Sequence, residues 1–181
     1  MNQPIGIAPA LPQEAAQEAH TLTVLVDNEP GVLARVIGLF SGRGYNIDSL
    51  TVSETEHERS LSRITIVTTG TPMVIDQIKH QLARLVPVHR VSDLTADKRD
   101  ALERELALVK VSGRGEQRVE ALRLAQAFDA RTIDATLTSF IFEITGSKPD
   151  IERFIALMAT VGLVEVSRTG IAGITRGPDA T

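Results

Sequence analysis

The apolar residues of this 181-residue chain change period in one order and then do so again, and that repetition limits the folds open to it. Thr21 to Val26 (TLTVLV) alternates as a strand does. The turn sequence DNEPG follows and leads into a segment where Val32, Val36 and Phe40, with Leu33, Ile37 and Leu39, recur at helical spacing. Gly42 and Gly44 close that helix. Asn46 to Ser53 and Leu61 to Thr69 are β-rich runs separated by the polar ETEHER, the pattern of a hairpin with a long exposed loop. Pro72 suits the first turn of a second helix, whose apolar face is Ile75, Ile78, Leu82 and Leu85. Pro87 stops it ahead of a strand from Val88 to Ser92. The order to this point is βαββαβ.

Leu94 to Glu105 is charged and reads as linker, after which the order returns. Leu106 to Ser112 is strand-like, Glu116 to Phe128 carries Val119, Leu122, Ala125 and Phe128 on a helical face, and Thr132 to Ala135 pairs with Phe140 to Thr145. Ile151, Phe154, Ile155 and Met158 mark a fourth helix, and Leu163 to Arg168 a last strand. The chain therefore reads as an α+β protein of two ferredoxin-like βαββαβ domains, antiparallel sheets with helices on one face. Residues 1–20 are expected to be a flexible tail, 21–96 the first domain, and 97–181 the second domain with a short linker. Two helices cover only one face of a four-stranded sheet, yet Leu22, Val24 and Val26 oppose Leu25, and Phe140, Phe142 and Ile144 oppose Ile141. Something must cover the second face, either the other half or a second copy. Halves this small are marginal alone, so a homo-oligomer, at least a dimer, is predicted.

Composition removes several classes of function. With no cysteine there are no disulfides, thiolate zinc sites or iron–sulfur clusters, and a reducing cytoplasm is the expected setting. A net charge of -4, one tyrosine, five phenylalanines and no tryptophan argue against nucleic-acid binding. No apolar run approaches the roughly 20 residues a bilayer span needs. The opening MNQPIGIAPALPQEAAQEAH lacks a basic n-region and is interrupted by prolines, so it does not read as a signal peptide.

The most informative local feature is DNEPGVLARV at 27–36, where a strand ends and Gly31 lets the backbone turn close to a helix N-terminus. Unpaired N–H groups there can receive a carboxylate, which the helix dipole favours. Asn28 adds an amide able to hold an α-amino or α-carboxylate group. The plainer alternative is that Asn28 caps the helix and Gly31 relieves a tight turn. Gly42-Arg-Gly44 is not a dinucleotide fingerprint, since it follows a helix and lacks the third glycine. Gly113-Arg-Gly115 opens a helix but reads as a turn. His57 sits among Glu54, Glu56, Glu58 and Arg59 with no second histidine at ligand spacing, so a metal site is not expected. His80 and His89 lie apart on a helix and a strand. No catalytic constellation is legible.

DNEPGVLARVIGLFSGRGYNIDSLTV, followed by LSRITIV, resembles the N-terminal ACT domain of acetolactate (acetohydroxyacid) synthase small subunits. The likeness continues through ERELALVKV, RTIDAT, EITGSKPDIERFI and VEVSRTGIAGITRG, so it spans nearly everything after the tail. It implies a non-catalytic partner of a large subunit that carries thiamine diphosphate, magnesium and FAD and condenses pyruvate with a second 2-oxo acid. The small subunit would stimulate that enzyme and make it sensitive to valine. The resemblance also places an effector site between two paired ACT domains: Asn28, Glu29, Gly31, Val32 and Leu33 in the turn, with Asn46 and Ile47 across the interface. The chain itself would hold no cofactor, metal or catalytic residue. Valine's side chain would meet Val32, Leu33 or Ile47, a pocket unable to separate it strongly from leucine or isoleucine.

Two rival readings make different demands. An RNA-recognition module shares the βαββαβ order but needs stacking aromatics on its central strands, and TLTVLV and RITIVTT contain none. An ACT-type sensor serving another amino-acid enzyme differs only in its partner.

Overall fold

The computed structural model describes residues 16–56, 60–96 and 101–178. His57, Glu58 and Arg59, together with most of the predicted tail, lie outside them. The first domain is built from β1 (Glu18–Asp27), α1 (Val32–Arg43), β2 (Ser49–Glu56), β3 (Leu61–Gly70), α2 (Pro72–Leu82) and β4 (Val88–Asp93). Its antiparallel sheet has the order β2-β3-β1-β4, so β2 and β4 are the edges. The second domain follows with β5 (Ala101–Ser112), α3 (Glu116–Ala127), β6 (Arg131–Ala135), β7 (Ser139–Gly146), α4 (Lys148–Ala159) and β8 (Leu163–Arg168), in the corresponding order β6-β7-β5-β8. A short β9 (Ala172–Thr175) pairs with the start of β5. The two predicted ferredoxin-like halves are present. Among the described residues no helix is long and apolar enough to cross a membrane.

Each domain has its own core on the helix-covered face. Leu22, Val24, Ile64 and Ile66 of β1 and β3 meet Val32, Val36 and Phe40 of α1 and Ile75, Ile78 and Leu82 of α2. In the second domain Val109, Phe142 and Ile144 meet Ile151, Phe154 and Met158 of α4. Burial of each such side chain contributes roughly 1.5 to 3 kcal/mol. The second helix of each half starts alike: the Thr71 hydroxyl accepts from Val74 N–H and the Ser147 hydroxyl from Asp150 N–H, with Pro72 and Pro149 in the first turns.

Four boundaries and faces differ from the sequence reading. β1 begins at Glu18, with Glu18 opposite Gly70, so the segment called tail already enters the sheet before residue 21. β2 begins at Ser49, because Asn46 to Asp48 form the approach to it. The supposed linker contains the first residues of β5, since Ala101 to Arg104 find a partner in β9. On α3 the buried residues are Ala121 and Ala125, whereas Val119 and Leu122 are exposed. Small residues let that helix lie close to the sheet, and the larger ones are turned outward.

The second face of the first sheet is covered at its centre. Its residues are Thr21, Thr23 and Leu25 on β1, Ser49, Thr51 and Ser53 on β2, and Arg63, Thr65 and Val67 on β3. Thr21, Thr23, Thr65 and Val67 are 3, 4, 5 and 3% exposed. What lies over them is the ribbon of β9 and the start of β5, with Leu94 and Ile171 beside it. The corresponding face of the second sheet stays open and carries the cross-strand ion pairs Lys110–Glu165 and Arg131–Glu143, both 2.7 Å. The ammonium of Lys110 holds the Glu165 carboxyl below its ordinary pKa.

Candidate functional site

At the end of β1 the chain is pinned from two sides: Asp27 N–H donates to Pro87 O at 2.9 Å and Asn28 N–H to Ser60 O at 2.7 Å. Glu29-Pro30-Gly31-Val32 then makes a type II turn. Pro30 supplies the first central residue, Gly31 the second at φ 89° and ψ -9°, and Val32 N–H donates to Glu29 O at 3.4 Å. Gly31 is also the N-cap of α1. It offers no side-chain cap, and no acidic residue stands in the first turn. The helix therefore starts with a positive dipole end and with unmatched N–H groups. Asn28 is not the cap, so the plainer reading of that residue fails. A Cβ built on Gly31 would meet nothing within 4 Å, so the turn faces open space.

The far end of α1 is closed by a Schellman motif. Gly44, at φ 70°, donates to Ser41 O and Tyr45 to Phe40 O, while the Phe40 and Tyr45 rings meet edge to face at 6.0 Å. Gly42-Arg-Gly44 thus ends a helix. The following residues are moored to β3: Thr68 Oγ1–H donates to Asn46 O at 2.6 Å and Asp48 N–H to Val67 O at 2.8 Å. Asn46 Nδ2 donates one of its protons to Asp48 Oδ1, and Asp48 Oδ2 accepts from Thr69 Oγ1. Asp48, which the sequence reading did not single out, is the carboxylate that accompanies Asn46.

The seven predicted residues form two groups. Asn28, Glu29, Gly31, Val32 and Leu33 stand at the start of α1, and Asn46 and Ile47 beyond its end, separated by a 12-residue helix about 18 Å long. One chain does not bring them together. Asn28, Glu29, Gly31 and Asn46 are exposed, and Leu33 is 36% exposed. Val32, at 4%, points into the core and has only its backbone to offer a ligand. Ile47 is half-buried against the same core.

Elsewhere, His80 and His89, far apart in sequence, line one depression of about 440 Å³ between α2 and β4, with Asp76, Lys79 and Asp93. Their ring nitrogens are engaged locally, His80 Nδ1 with Asp76 O at 2.7 Å and His89 Nε2 with Asp27 Oδ1 at 2.6 Å. Lys79 holds the Asp76 carboxyl below its ordinary pKa. Among the described residues no group of three histidine or acidic side chains is placed to hold a metal ion.

Residues 22–90 match the model of the AHAS small subunit-like ACT domain, and residues 104–177 that of the small subunit of acetolactate synthase. A probable acetolactate synthase small subunit of Archaeoglobus fulgidus is 46% identical over 158 residues, 87% of this chain and 97% of its own length. This chain belongs to the acetolactate synthase small-subunit family. The isozyme 3 small subunit of Escherichia coli is 44% identical, covering 86% of this chain and 94% of its own. Among solved structures the acetolactate synthase small subunit from Thermotoga maritima matches at a TM-score of 0.81 and 37% identity, over 90% of this chain and 99% of that one. The first domain is accordingly an ACT domain, and the turn at Gly31 is the start of the first ACT helix.

Proposed function

We propose that this chain is the regulatory subunit of acetolactate synthase in branched-chain amino-acid biosynthesis. It stimulates a catalytic large subunit, which carries thiamine diphosphate, magnesium and FAD, and it confers feedback inhibition by valine bound between two ACT domains. The observation that carries this reading is the division of the site into two halves at opposite ends of α1, with an exposed apolar seam between them: Leu33 and Ile37 on the helix and Val52 on the edge strand β2, 36, 38 and 43% exposed.

A twofold axis beside β2 pairs the two edge strands and sets the two α1 helices antiparallel. That places the start of one helix by the end of the other and completes the site twice. The effector's carboxylate then meets the N–H groups at Gly31 and the helix dipole. Its ammonium meets Asn28 and Asn46, with Asp48 as the nearby counter-charge. Leu33 and Ile47 supply the apolar wall, since the Val32 side chain is turned inward. A ligand that touches both chains favours one arrangement of the pair over another, and this differential affinity is the means of regulation.

The test is reconstitution. The purified chain shows no pyruvate-condensing activity of its own, raises that of the matching large subunit supplied with thiamine diphosphate, magnesium and FAD, and makes it sensitive to valine. Stimulation of a different amino-acid enzyme in a pull-down, with no effect on the acetolactate synthase large subunit, would overturn the reading.

A further inference from the structure

Gly170 and Gly173 stand where a larger residue has no room. A Cβ on Gly170, already at φ 82°, would lie 2.6 Å from Ser49 Oγ and 2.8 Å from Thr51 Oγ1, and one on Gly173 would overlap Leu94 Cδ1. Both glycines belong to the stretch that leaves the second domain and crosses the open face of the first. Thr51 Oγ1–H adds a hydrogen bond to Thr169 O at 3.3 Å. Gly170 precedes the ribbon and Gly173 lies in it; the ribbon pairs Ala101 with Thr175, Leu102 with Ile174, Glu103 with Gly173 and Arg104 with Ala172. β5 continues without interruption from this ribbon into the centre of the second sheet, where it pairs with β7 and β8. One strand therefore belongs to both domains.

The seating of the ribbon is close along a line and open on either side. Cavities of about 370 and 390 Å³ flank it toward α4, both lined by Val67, Lys148 and Ile171, and one of about 340 Å³ lies on the other side, under Leu102 and Ile174. The seating buries Thr21, Thr65 and Val67, so the cavities on either side are the space into which the ribbon can reseat. The segment that feeds β9 touches β2 at Thr169 and Gly170, through Ser49 and Thr51, and β2 begins two residues after Ile47.

We propose that the β5–β9 ribbon is a coupling strap, docked on the ACT sheet and reporting the state of β2 to the C-terminal domain. The proposal rests on the effector reading above and adds the route by which the second domain senses it. Valine that fixes β2 at the paired edge tightens the seating of the strap. Linkage then requires the converse, that lifting the strap weakens valine by the same factor.

The chain has no cysteine, so a single thiol can report on the strap. Thr65→Cys places it beneath the ribbon, where the native residue is 5% exposed, and its rate of alkylation by a maleimide measures how often the strap lifts. Saturating valine is expected to slow the reaction by a factor between about 5 and 150, the usual range of coupling. Gly173→Val, and independently Gly170→Ala, should speed it and weaken valine in calorimetric titration by that same factor. Valine bound with an unchanged alkylation rate would overturn the strap alone, as would faster alkylation in both glycine variants with unaltered valine affinity. Wild-type chain that gives no heat with valine would instead remove the effector reading, and the strap's role with it.

Discussion

At Gly31 conformation and chemistry meet in one residue, and the two can be separated by substitution. The φ of 89° is one that L side chains rarely adopt, while the space a Cβ would enter is empty. Gly31→Ala should therefore cost stability, about 1 to 3 kcal/mol, as a fall in denaturant midpoint, and leave valine affinity within a few-fold of wild type. Gly31→Asp adds a carboxylate where, in the proposed site, the effector's own carboxylate approaches, and should abolish valine binding while still stimulating the large subunit. The contrast between the two isolates charge from strain. Asn46→Ala removes the hydrogen bond proposed to a charged ligand group, about 1.5 to 3 kcal/mol, so calorimetry should show roughly 10- to 150-fold weaker binding. Equal valine affinity in Gly31→Asp and Gly31→Ala would place the site elsewhere.

Among the elements, those whose apolar spacing matched their burial were legible from the sequence. Val32, Val36 and Phe40 on α1, Ile75, Ile78 and Leu82 on α2, and Ile151, Phe154 and Met158 on α4 all lie inside. α3 was half legible: Ala125 and Phe128 do face the core, with Ala121 and Leu124, while Val119 and Leu122 are outside, because alanines carry little hydrophobic signal to set the phase. β9 has four residues and the start of β5 reads ALER; neither shows alternation, and each is a strand only because the other pairs with it. The Pro30-Gly31 turn was visible because its type II geometry demands those residues, and the helical spacing that puts Val32 in the core also removes its side chain from the wall of the proposed site. An ion pair with one buried partner was also missed. Glu105, 5% exposed, receives Arg168 through both oxygens, and its carboxylate raises the guanidinium pKa further. Arg168→Met would leave that carboxylate unpaired beside the joint between β8 and the ribbon, and should lower unfolding free energy by about 3 kcal/mol in urea titration. Glu105→Gln with Arg168→Met should recover part of the loss.

For the whole molecule, the question is which surface joins two copies. Apolar residues on both sheet faces suggest face-to-face pairing, but the structure leaves little reason for it. The ribbon covers the centre of the first sheet, and the second would have to bury Lys110–Glu165 and Arg131–Glu143, whose desolvation is costly. Met73 and Val86 are exposed singly at either end of α2, whereas Leu33, Ile37 and Val52 lie together along α1 and the edge strand β2, and an edge strand is a ready template for a second copy. Dimerisation is therefore expected through the edge. Val52→Lys would bring two ammonium groups together across a twofold axis, a juxtaposition costing several kcal/mol, and about 3 kcal/mol corresponds to roughly 150-fold weaker association. Sedimentation at micromolar concentration should find wild-type dimers and Val52→Lys monomers with unchanged circular dichroism. Ile141→Lys, on the open face of the second sheet, should leave the dimer intact. The reverse result, an intact Val52→Lys dimer and a dissociated Ile141→Lys, would move the interface to the sheet face and would deny the two halves of the effector site any means of meeting.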